Sequence, residues 1–266
     1  MVTRSKNTKE MLDRLISRDG YVSSQDNGMS GSFASFTVFE HKMFDYCVSF
    51  IRPDSKIGEE YTIDILEVLK YFNLTEGGEN YKRVIDAIKK LKYTPLYLPK
   101  FKMEDKKKND QIETFFYDED GKRVLEGWFF TSIFGEKVSI NFDGTITFNF
   151  SNQVSPYLYK LNSNFYQLRM RDIRPIKGKY ELILLKLWQA RQNAKRRKQT
   201  IIRGSIDEWQ DWYLGKEKRK PSNIFKRDML DKSRKQLEKD FEVSTELKRI
   251  TKGRKLIGYE MIIIEN

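Results

Sequence analysis

The sequence predicts an α+β protein in which one order of elements, three helices followed by a β-hairpin, occurs twice. Apolar residues between 36 and 91 recur at helical spacing. The spacing then changes to the alternation of β-strands between 96 and 150, with Asp-Gly pairs at candidate hairpin turns. A second change from helical to alternating spacing occurs between 180 and 264. The chain of 266 residues is long enough for two domains of this kind.

The first half contains three predicted helices, at 36–51, 61–74 and 79–91. Pro53 ends the first helix, in which we interpret Cys47 as a small core residue and His41 as a surface or packing residue. Thr62 is a possible N-cap of the second helix. The third helix has a regular apolar stripe on one side and lysine and arginine on the other.

Five strands are predicted after these helices, at 96–101, 112–117, 124–133, 138–142 and 145–150. Asp120-Gly121 and Asp143-Gly144 are assigned to hairpin turns, because Asp-Gly favours the backbone angles of two-residue turns. The acidic group at 118–120 is interpreted as part of the first of these turns.

The second half repeats this order. Its predicted helices lie at 180–192, 205–214 and 222–240, and its strands at 200–203, 245–250 and 256–264. Ser205 is the expected N-cap of the middle helix, and Pro221 directly precedes the third helix.

The two halves also share residues. The segment TIDIL begins at Thr62, and the segment SIDEW begins at Ser205. Each is followed by an aromatic-Lys-Arg triplet, at 81–83 and at 225–227, which opens the third helix. Three helices and a hairpin are the layout of a winged helix, in which the third helix usually enters the major groove of DNA. The sequence therefore predicts two tandem winged-helix domains, at 36–155 and 156–266, behind a flexible tail at 1–35.

Composition excludes several classes of protein. The one cysteine cannot form an internal disulfide, which indicates a reducing compartment. One cysteine and one histidine are too few for a zinc finger, and one histidine cannot form the pair that some nucleases place around a metal. The longest apolar stretch, 182–188, is far shorter than the roughly 20 residues of a membrane span. We expect a cytoplasmic protein with no membrane contact, no catalytic residue, no metal site and no cofactor.

Positive charge is concentrated in one part of the chain. The whole sequence has 50 Lys and Arg against 38 Asp and Glu, a net charge of +12. Between Arg169 and Lys255 there are 27 basic and 12 acidic residues, whereas the rest of the chain has 23 and 26. This asymmetry indicates a polyanionic partner for the C-terminal third.

The order of elements and local patterns resemble a known family. The residues that carry the resemblance are VSPYLYKLNSNFYQLRMRDIRPIKGKYELILLKLWQ (154–189), GSIDEWQDWYLG (204–215) and NIFKRDMLDKSRKQLEKDFEVSTELKRITKGRKLIGYEMII (223–263). They resemble plasmid replication initiators of the RepA/RepB type, the iteron-binding family with two winged-helix domains. The resemblance extends over about 36–264.

This resemblance implies a sequence-specific DNA-binding protein that starts plasmid replication in bacteria. Such a protein binds repeated origin sequences in double-stranded DNA, promotes origin opening and recruits host replication proteins such as the helicase and the host initiator. It catalyses no reaction. The family also implies a homodimer in equilibrium with a monomer, repression of its own gene, and a dimer surface on the first domain.

Helix 222–240 contains the main candidates for DNA contact. We expect Asn223 and Arg227 to read bases, because asparagine pairs with adenine and arginine with guanine in the major groove. Phosphate contacts are expected from Lys226, Arg234 and Lys235 in the same helix. The wing adds five basic residues, Lys248, Arg249, Lys252, Arg254 and Lys255. The third helix of the first domain supplies a secondary contact through Lys82, Arg83 and Lys89.

Two other functions fit parts of the pattern. A winged-helix transcriptional regulator without a replication role would have the same elements. A primase or nuclease would need clustered carboxylates for Mg²⁺, and the group at 118–120 is the one dense acidic cluster.

Overall fold

The computed structural model describes residues 21–104, 123–161, 165–192 and 198–266. The chain forms two compact units. Unit 1 comprises 1–24, 42–162 and 167–175, and unit 2 comprises 25–41, 163–166 and 176–266. These limits differ from the predicted domains, because the segment 25–41 belongs to the C-terminal unit and unit 1 extends to residue 175.

Unit 1 is a winged helix with an added hairpin. Its helices are α2 (Ile65–Tyr71), α3 (Gly78–Tyr93) and the short α4 (Met170–Ile173). The helix α1 (Val38–Val48) belongs to unit 1 from residue 42 onward. β2 (Tyr61–Asp64), β5 (Phe134–Ile140) and β6 (Thr145–Phe150) form one antiparallel sheet in the order β2-β6-β5. β3 (Leu96–Phe101) and β4 (Leu125–Thr131) follow α3 directly, but they form a separate two-stranded sheet. The wing of unit 1 is therefore β5–β6.

Local sequence explains these elements. The α3 helix buries Val84, Ala87, Ile88 and Leu91 on one side, as its apolar stripe predicted. The turn between β5 and β6 is held by Asp143, whose carboxylate accepts from the Thr145 N–H at 2.9 Å and from its hydroxyl at 2.7 Å. Gly144 follows with φ of +85°, a conformation that favours glycine. Cys47 is fully buried, which confirms its interpretation as a core residue.

Unit 2 repeats the layout. α5 (Lys179–Arg191) is followed by β8 (Gln199–Ser205) and α6 (Ile206–Leu214). The third helix consists of α7 (Ser222–Phe225), a π-helical segment (Lys226–Leu230) and α8 (Asp231–Asp240), and we call it helix 222–240. β9 (Val243–Lys252) and β10 (Lys255–Glu265) form the wing, in a sheet of order β8-β10-β9.

The start of α6 is fixed by a capping box. The Ser205 hydroxyl accepts from the Glu208 N–H at 3.2 Å, and the Glu208 carboxylate accepts from the Ser205 N–H at 2.8 Å. Trp209 is fully buried and donates its indole N–H to the carbonyl of Tyr259 at 2.9 Å. The α6 helix is thereby attached to the sheet of its own unit.

The predicted flexible tail is wrong for residues 21–35. β1 (Val22–Asp26) pairs with β7 (Phe165–Arg169), and the Asp26 carboxylate caps a 3₁₀ turn by accepting from the Gly28 N–H at 2.7 Å. Met29 and Phe33 are buried within unit 2, where the ammonium of Lys186 lies 4.2 Å from the centre of the Phe33 ring. The Ser- and Gly-rich composition marks tight turns here, and the apolar side chains between them hold the segment in place.

The predicted helix 61–74 begins too early. Residues 61–64 form β2, in which Tyr61 and Ile63 are buried and pair with Phe148 and Ile146. Thr62 lies within this strand, and Asp64 caps the helix instead by accepting from the Leu66 N–H at 2.7 Å. The predicted strand 112–117, the Asp120-Gly121 turn and the acidic group at 118–120 lie outside the described residues.

Candidate nucleic-acid interface

Helix 222–240 is anchored along one side. Its buried residues are Phe225, Met229, Leu230, Ser233 and Leu237. The Ser233 and Tyr213 hydroxyls lie 3.1 Å apart, and the Tyr259 hydroxyl donates to the Ser222 carbonyl at 3.1 Å. These contacts fix the rotation of the helix and leave its other side in solvent.

The two predicted base readers are on the solvent side. Asn223 and Arg227 are both exposed and lie four residues apart near the start of the helix. Lys235 is exposed two turns further on. The backbone departs from α-helical geometry here, since Arg227 belongs to the π-helical segment Lys226–Leu230. Such segments are rare within α-helices and occur frequently at functional sites.

Arg227 is held by its neighbour in the chain. Its Nε donates to Asp228 Oδ1 at 3.0 Å, and its Nη2 donates to Asp228 Oδ2 at 2.8 Å. Lys232 Nζ lies 3.4 Å from Asp228 Oδ1, one turn along the helix. The hydrogen bond and positive charge of Arg227, with a further contribution from Lys232, lower the pKa of Asp228 to about 2. The carboxylate is therefore ionised at neutral pH.

Lys226 and Arg234 share a second carboxylate. Asp231 Oδ2 accepts from Lys226 Nζ at 2.6 Å, and Asp231 Oδ1 accepts from Arg234 Nε at 3.1 Å. Partial burial alone would raise the pKa of Asp231, but the hydrogen bonds and charges of the two cations lower it. Both cations are thus less available for phosphates than the sequence suggested.

Arg234 also connects the helix to the wing. Its Nη1 donates to the Thr245 carbonyl in β9 at 3.3 Å. The Thr245 N–H and hydroxyl in turn donate to Glu238 Oε1 at 2.8 Å and 2.6 Å. This network sets the position of β9, and hence of the wing, relative to helix 222–240.

The wing is basic and exposed. All five predicted wing residues are exposed: Lys248, Arg249, Lys252, Arg254 and Lys255. Gly253 at the tip has φ of +59°, which allows the tight turn between β9 and β10. Lys248 Nζ lies 3.3 Å from Glu246 Oε2, in a pair that solvent screens because both side chains are half exposed.

Unit 1 presents a basic side on its own third helix. Lys82, Arg83, Lys89 and Lys90 are exposed along α3, on the side away from its buried apolar stripe. The helix is α-helical throughout its described length of 16 residues. The structure therefore places the predicted secondary contact residues on one solvent-facing surface.

Unit 1 also has an exposed aromatic face on the β3–β4 hairpin. Tyr97 and Trp128 stack with ring centres 5.0 Å apart and an angle of 6° between planes. Phe130 lies 5.0 Å from Tyr97, directly opposite it in the register of the sheet. Trp128 and Phe130 are 54% and 58% exposed, although their side chains are apolar. Contiguous exposed apolar side chains are typical of interaction surfaces.

His41 is a packing residue. It is fully buried near the rings of Phe33 and Phe36, with centroid distances of 5.5 Å and 6.3 Å. Burial, followed by the positive charges of Lys186 and Lys179, lowers its pKa well below the ordinary value of 6.5. The imidazole is therefore neutral in the folded protein, in agreement with a packing role.

Sequence reasoning missed the carboxylates of helix 222–240. Asp228 and Asp231 were not considered as partners of the basic residues around them. The spacing of Asp231 from Arg234, three positions on a helix, is a signal that could have been used. The pairing of Arg227 with the adjacent Asp228 gives no such signal.

Two features are absent from the described ranges. No group of three or more His, Cys, Asp or Glu side chains there could hold a metal ion. No helix among those residues is both long enough and apolar enough to cross a membrane.

Residues 23–189 match the family model described as "Initiator Replication protein, WH1", which covers more than half of the chain. Among solved structures, the chain is similar to the Pi initiator protein in complex with iteron DNA. The TM-score is 0.69 at 15% sequence identity, over 93% of this chain and 98% of that one. At this identity the similarity shows a shared fold. The search of curated proteins found no match.

Two structures of RctB are more distant. One, of domains 2 and 3, has a TM-score of 0.45 at 12% identity, over 86% of this chain and 82% of that one. The other, of domains 2-3, has a TM-score of 0.42 at 14% identity, over 87% and 83%.

Proposed function

Because this chain belongs to the family of initiator replication proteins, we propose that it starts plasmid replication by binding repeated origin sequences in double-stranded DNA. The observation that carries the proposal is the exposed side of helix 222–240, where Asn223 and Arg227 face solvent in the same unit as a basic wing. The protein acts by binding DNA and other proteins and catalyses no reaction.

Asn223 and Arg227 read bases in the major groove. Their side chains lie near the start of the third helix, the element that enters this groove in winged-helix proteins. Arginine donates two hydrogen bonds to O6 and N7 of guanine, and asparagine pairs with N6 and N7 of adenine. The similarity of fold to the Pi initiator, whose structure was solved with iteron DNA, supports this mode of binding.

Phosphate contacts come from the residues around these readers. Lys235 and the wing residues Lys248, Arg249, Lys252, Arg254 and Lys255 are exposed and suited to the DNA backbone. Lys226 and Arg234 contribute less directly, because Asp231 binds both of them. In unit 1, Lys82, Arg83 and Lys89 supply a secondary contact with backbone phosphates.

Initiation also needs protein partners. We assign to this protein a homodimer in equilibrium with a monomer, repression of its own gene, and recruitment of host replication proteins such as the helicase and the host initiator. The exposed rings of Tyr97, Trp128 and Phe130 support a dimer surface on unit 1, because aromatic side chains are enriched in such interfaces. Trp128→Ser is expected to shift the equilibrium towards monomer in analytical ultracentrifugation, while DNA binding by the monomer is retained.

Binding selection from random duplexes, repeated at several salt concentrations, tests DNA recognition. We expect an enriched direct-repeat motif that is bound with a steep dependence on salt, because several lysine and arginine residues displace counterions. The double variant Asn223→Ala/Arg227→Ala is expected to lose the motif but keep salt-dependent binding. Selection without an enriched motif would contradict the proposal.

A second experiment separates initiation from regulation alone. Opening of an AT-rich segment is measured on a supercoiled plasmid that carries the selected repeats. An initiator opens this segment, whereas a winged-helix transcriptional regulator without a replication role binds the repeats and leaves the duplex closed. A plasmid with scrambled repeats serves as the matched control.

A further inference from the structure

The pairing of Arg227 with Asp228 is unusual for an exposed arginine. The Arg227 side chain is 68% exposed, yet both oxygens of one carboxylate accept from it, at 3.0 Å and 2.8 Å. Adjacent residues of an α-helix do not face each other. Here both lie in the π-helical segment Lys226–Leu230, where α-helical spacing is interrupted. The pair therefore lies where the backbone of helix 222–240 departs from regular α-helical geometry.

The geometry of the pair leaves part of the guanidinium free to bind. Arginine has five N–H donors in a planar fork. Asp228 takes one from Nε and one from Nη2. The end of the fork, formed by Nη1 and the second hydrogen of Nη2, keeps two parallel donors. Two parallel donors are the pattern that O6 and N7 of guanine accept.

Asp228, the carboxylate that binds Arg227, contacts a second cation. Lys232 Nζ lies 3.4 Å from Asp228 Oδ1, one helical turn away. Asp228 thus lies between two cations, and its own side chain is only 33% exposed. An arginine fixed in this way loses less side-chain freedom when it binds than one that moves freely in solvent.

Asp228 also adds a negative charge to a surface that faces phosphates. That charge weakens binding to every duplex, whatever its sequence, because it repels the backbone. Specificity is the difference between two affinities, and it rises when binding to the wrong partner is weakened. The fixed position of Arg227 and the repulsion between Asp228 and the phosphates both raise specificity for the repeat.

We propose that Asp228 is a specificity-determining positioning residue, which fixes Arg227 for end-on recognition of one guanine and lowers affinity for arbitrary DNA. The inference rests on the proposed function, since it needs a base to be read by Arg227.

The test uses the full chain and the repeat found by selection, with a random duplex as the competitor. Asp228→Asn keeps the size of the side chain and removes its charge. We expect the ratio of affinities for the repeat and the random duplex to fall about tenfold. We expect binding to the random duplex to tighten by a factor of roughly 2–5 at low salt.

Asp240→Asn is the matched control for charge. Asp240 is exposed on the same helix and accepts from Gln236 Nε2 at 3.1 Å, away from Arg227. Its removal is expected to tighten binding to both duplexes equally and to leave their ratio unchanged. Thermal unfolding of each variant verifies that the fold is kept.

The variant Arg227→Ala separates positioning from direct contact. In that background, Asp228→Asn is expected to leave the affinity ratio unchanged, because there is no arginine to position. Replacing the contacted guanine by 7-deazaguanine, which lacks the N7 acceptor, should likewise abolish the effect of Asp228→Asn.

Three outcomes would overturn the inference. An unchanged ratio in Asp228→Asn alone would leave the proposed function standing and refute the positioning role. A tenfold loss that persists without Arg227 would show that Asp228 contacts a base itself, as a carboxylate does with the amino group of cytosine. A wild-type protein with no preference for any repeat would refute both the inference and the proposed function.

Discussion

The third helices of the two units occupy the same place in the element order, yet their basic side chains have different surroundings. On α3, Lys82 and Lys89 are exposed, and no carboxylate of the described residues lies within 4 Å of either ammonium. On helix 222–240, Asp228 and Asp231 pair with four of the basic residues. Contacts with phosphates position a protein on DNA, whereas contacts with base edges read its sequence. Net charge alone does not distinguish these two tasks.

The tips of the two wing hairpins also differ in their basic residues. The turn of β5–β6 is formed around Asp143, next to the fully exposed ring of Phe142. The turn of β9–β10 has a lysine on each side and an arginine within it, at Lys252, Arg254 and Lys255. We therefore expect the wing of unit 2 to contact DNA and the wing of unit 1 to contribute little to binding.

The largest expected effect separates the two third helices. Arg227→Ala should weaken binding to the selected repeat by about 1–3 kcal/mol and relax specificity at one base pair. Lys89→Ala on α3 should instead weaken binding to all duplexes by the same small factor. Competition binding with single-substitution repeats measures both. Equal losses on the repeat and on random duplexes for Arg227→Ala would contradict its assignment as a base reader.

A second contrast between the units is their response to acid. The one histidine of the chain, His41, is in unit 2 and has a pKa well below 6.5 when folded. Between that pKa and 6.5, the unfolded chain binds a proton that the folded protein does not. The free energy of unfolding should therefore decrease as the pH falls below 6.5, by up to about 1.4 kcal/mol per pH unit.

Urea unfolding of the wild type and of His41→Gln between pH 7.5 and 5 measures this effect. The variant cannot take up the proton, so its stability should depend less on pH over this range. Parallel pH profiles would show that His41 does not contribute.

A smaller effect is expected from Asp231, the carboxylate that Lys226 and Arg234 share. Asp231→Ala should lower the free energy of unfolding by about 1 kcal/mol, because it leaves the partly buried Lys226 and Arg234 without that acceptor. Asp86→Ala removes an exposed acid from α3 and should change stability by less than about 0.5 kcal/mol. Chemical denaturation measures both, and equal losses would contradict the stabilising role of Asp231.

Much of this organisation follows from sequence patterns, and the exceptions have physical causes. The third helices, predicted at 79–91 and 222–240, are found at Gly78–Tyr93 and 222–240, because their apolar stripes are regular. The segment 21–35 was predicted as a tail, because its buried apolar residues, such as Met29 and Phe33, are spread among turn residues. The strand at Tyr61–Asp64 was predicted as helix, because four residues that pair with a distant strand have little periodicity of their own.

The candidate site, like the fold, was predictable from sequence only in part. Helical spacing was enough to predict that Arg227 and Lys235 are exposed on helix 222–240. It did not predict that Lys226 and Arg234 are partly buried beside Asp231. It could not predict that Asp228 binds Arg227, because adjacent positions on a helix do not face each other and their spacing therefore indicates no pairing. Nor could it predict that Arg234 reaches Thr245, because that contact depends on the position of the wing.

The smallest effect is expected at the wing tip, and it tests the contrast between the two hairpins. Lys252→Ala should weaken binding to every duplex alike and reduce the slope of log K against log salt by about 0.9, the loss of one phosphate contact. Lys137→Ala, which removes an exposed lysine from β5 in unit 1, should leave the slope unchanged. Fluorescence anisotropy over a salt series resolves the difference. Equal reductions of the slope in both variants would mean that both wings contact DNA. The difference in DNA contact between the two units would then be confined to their third helices.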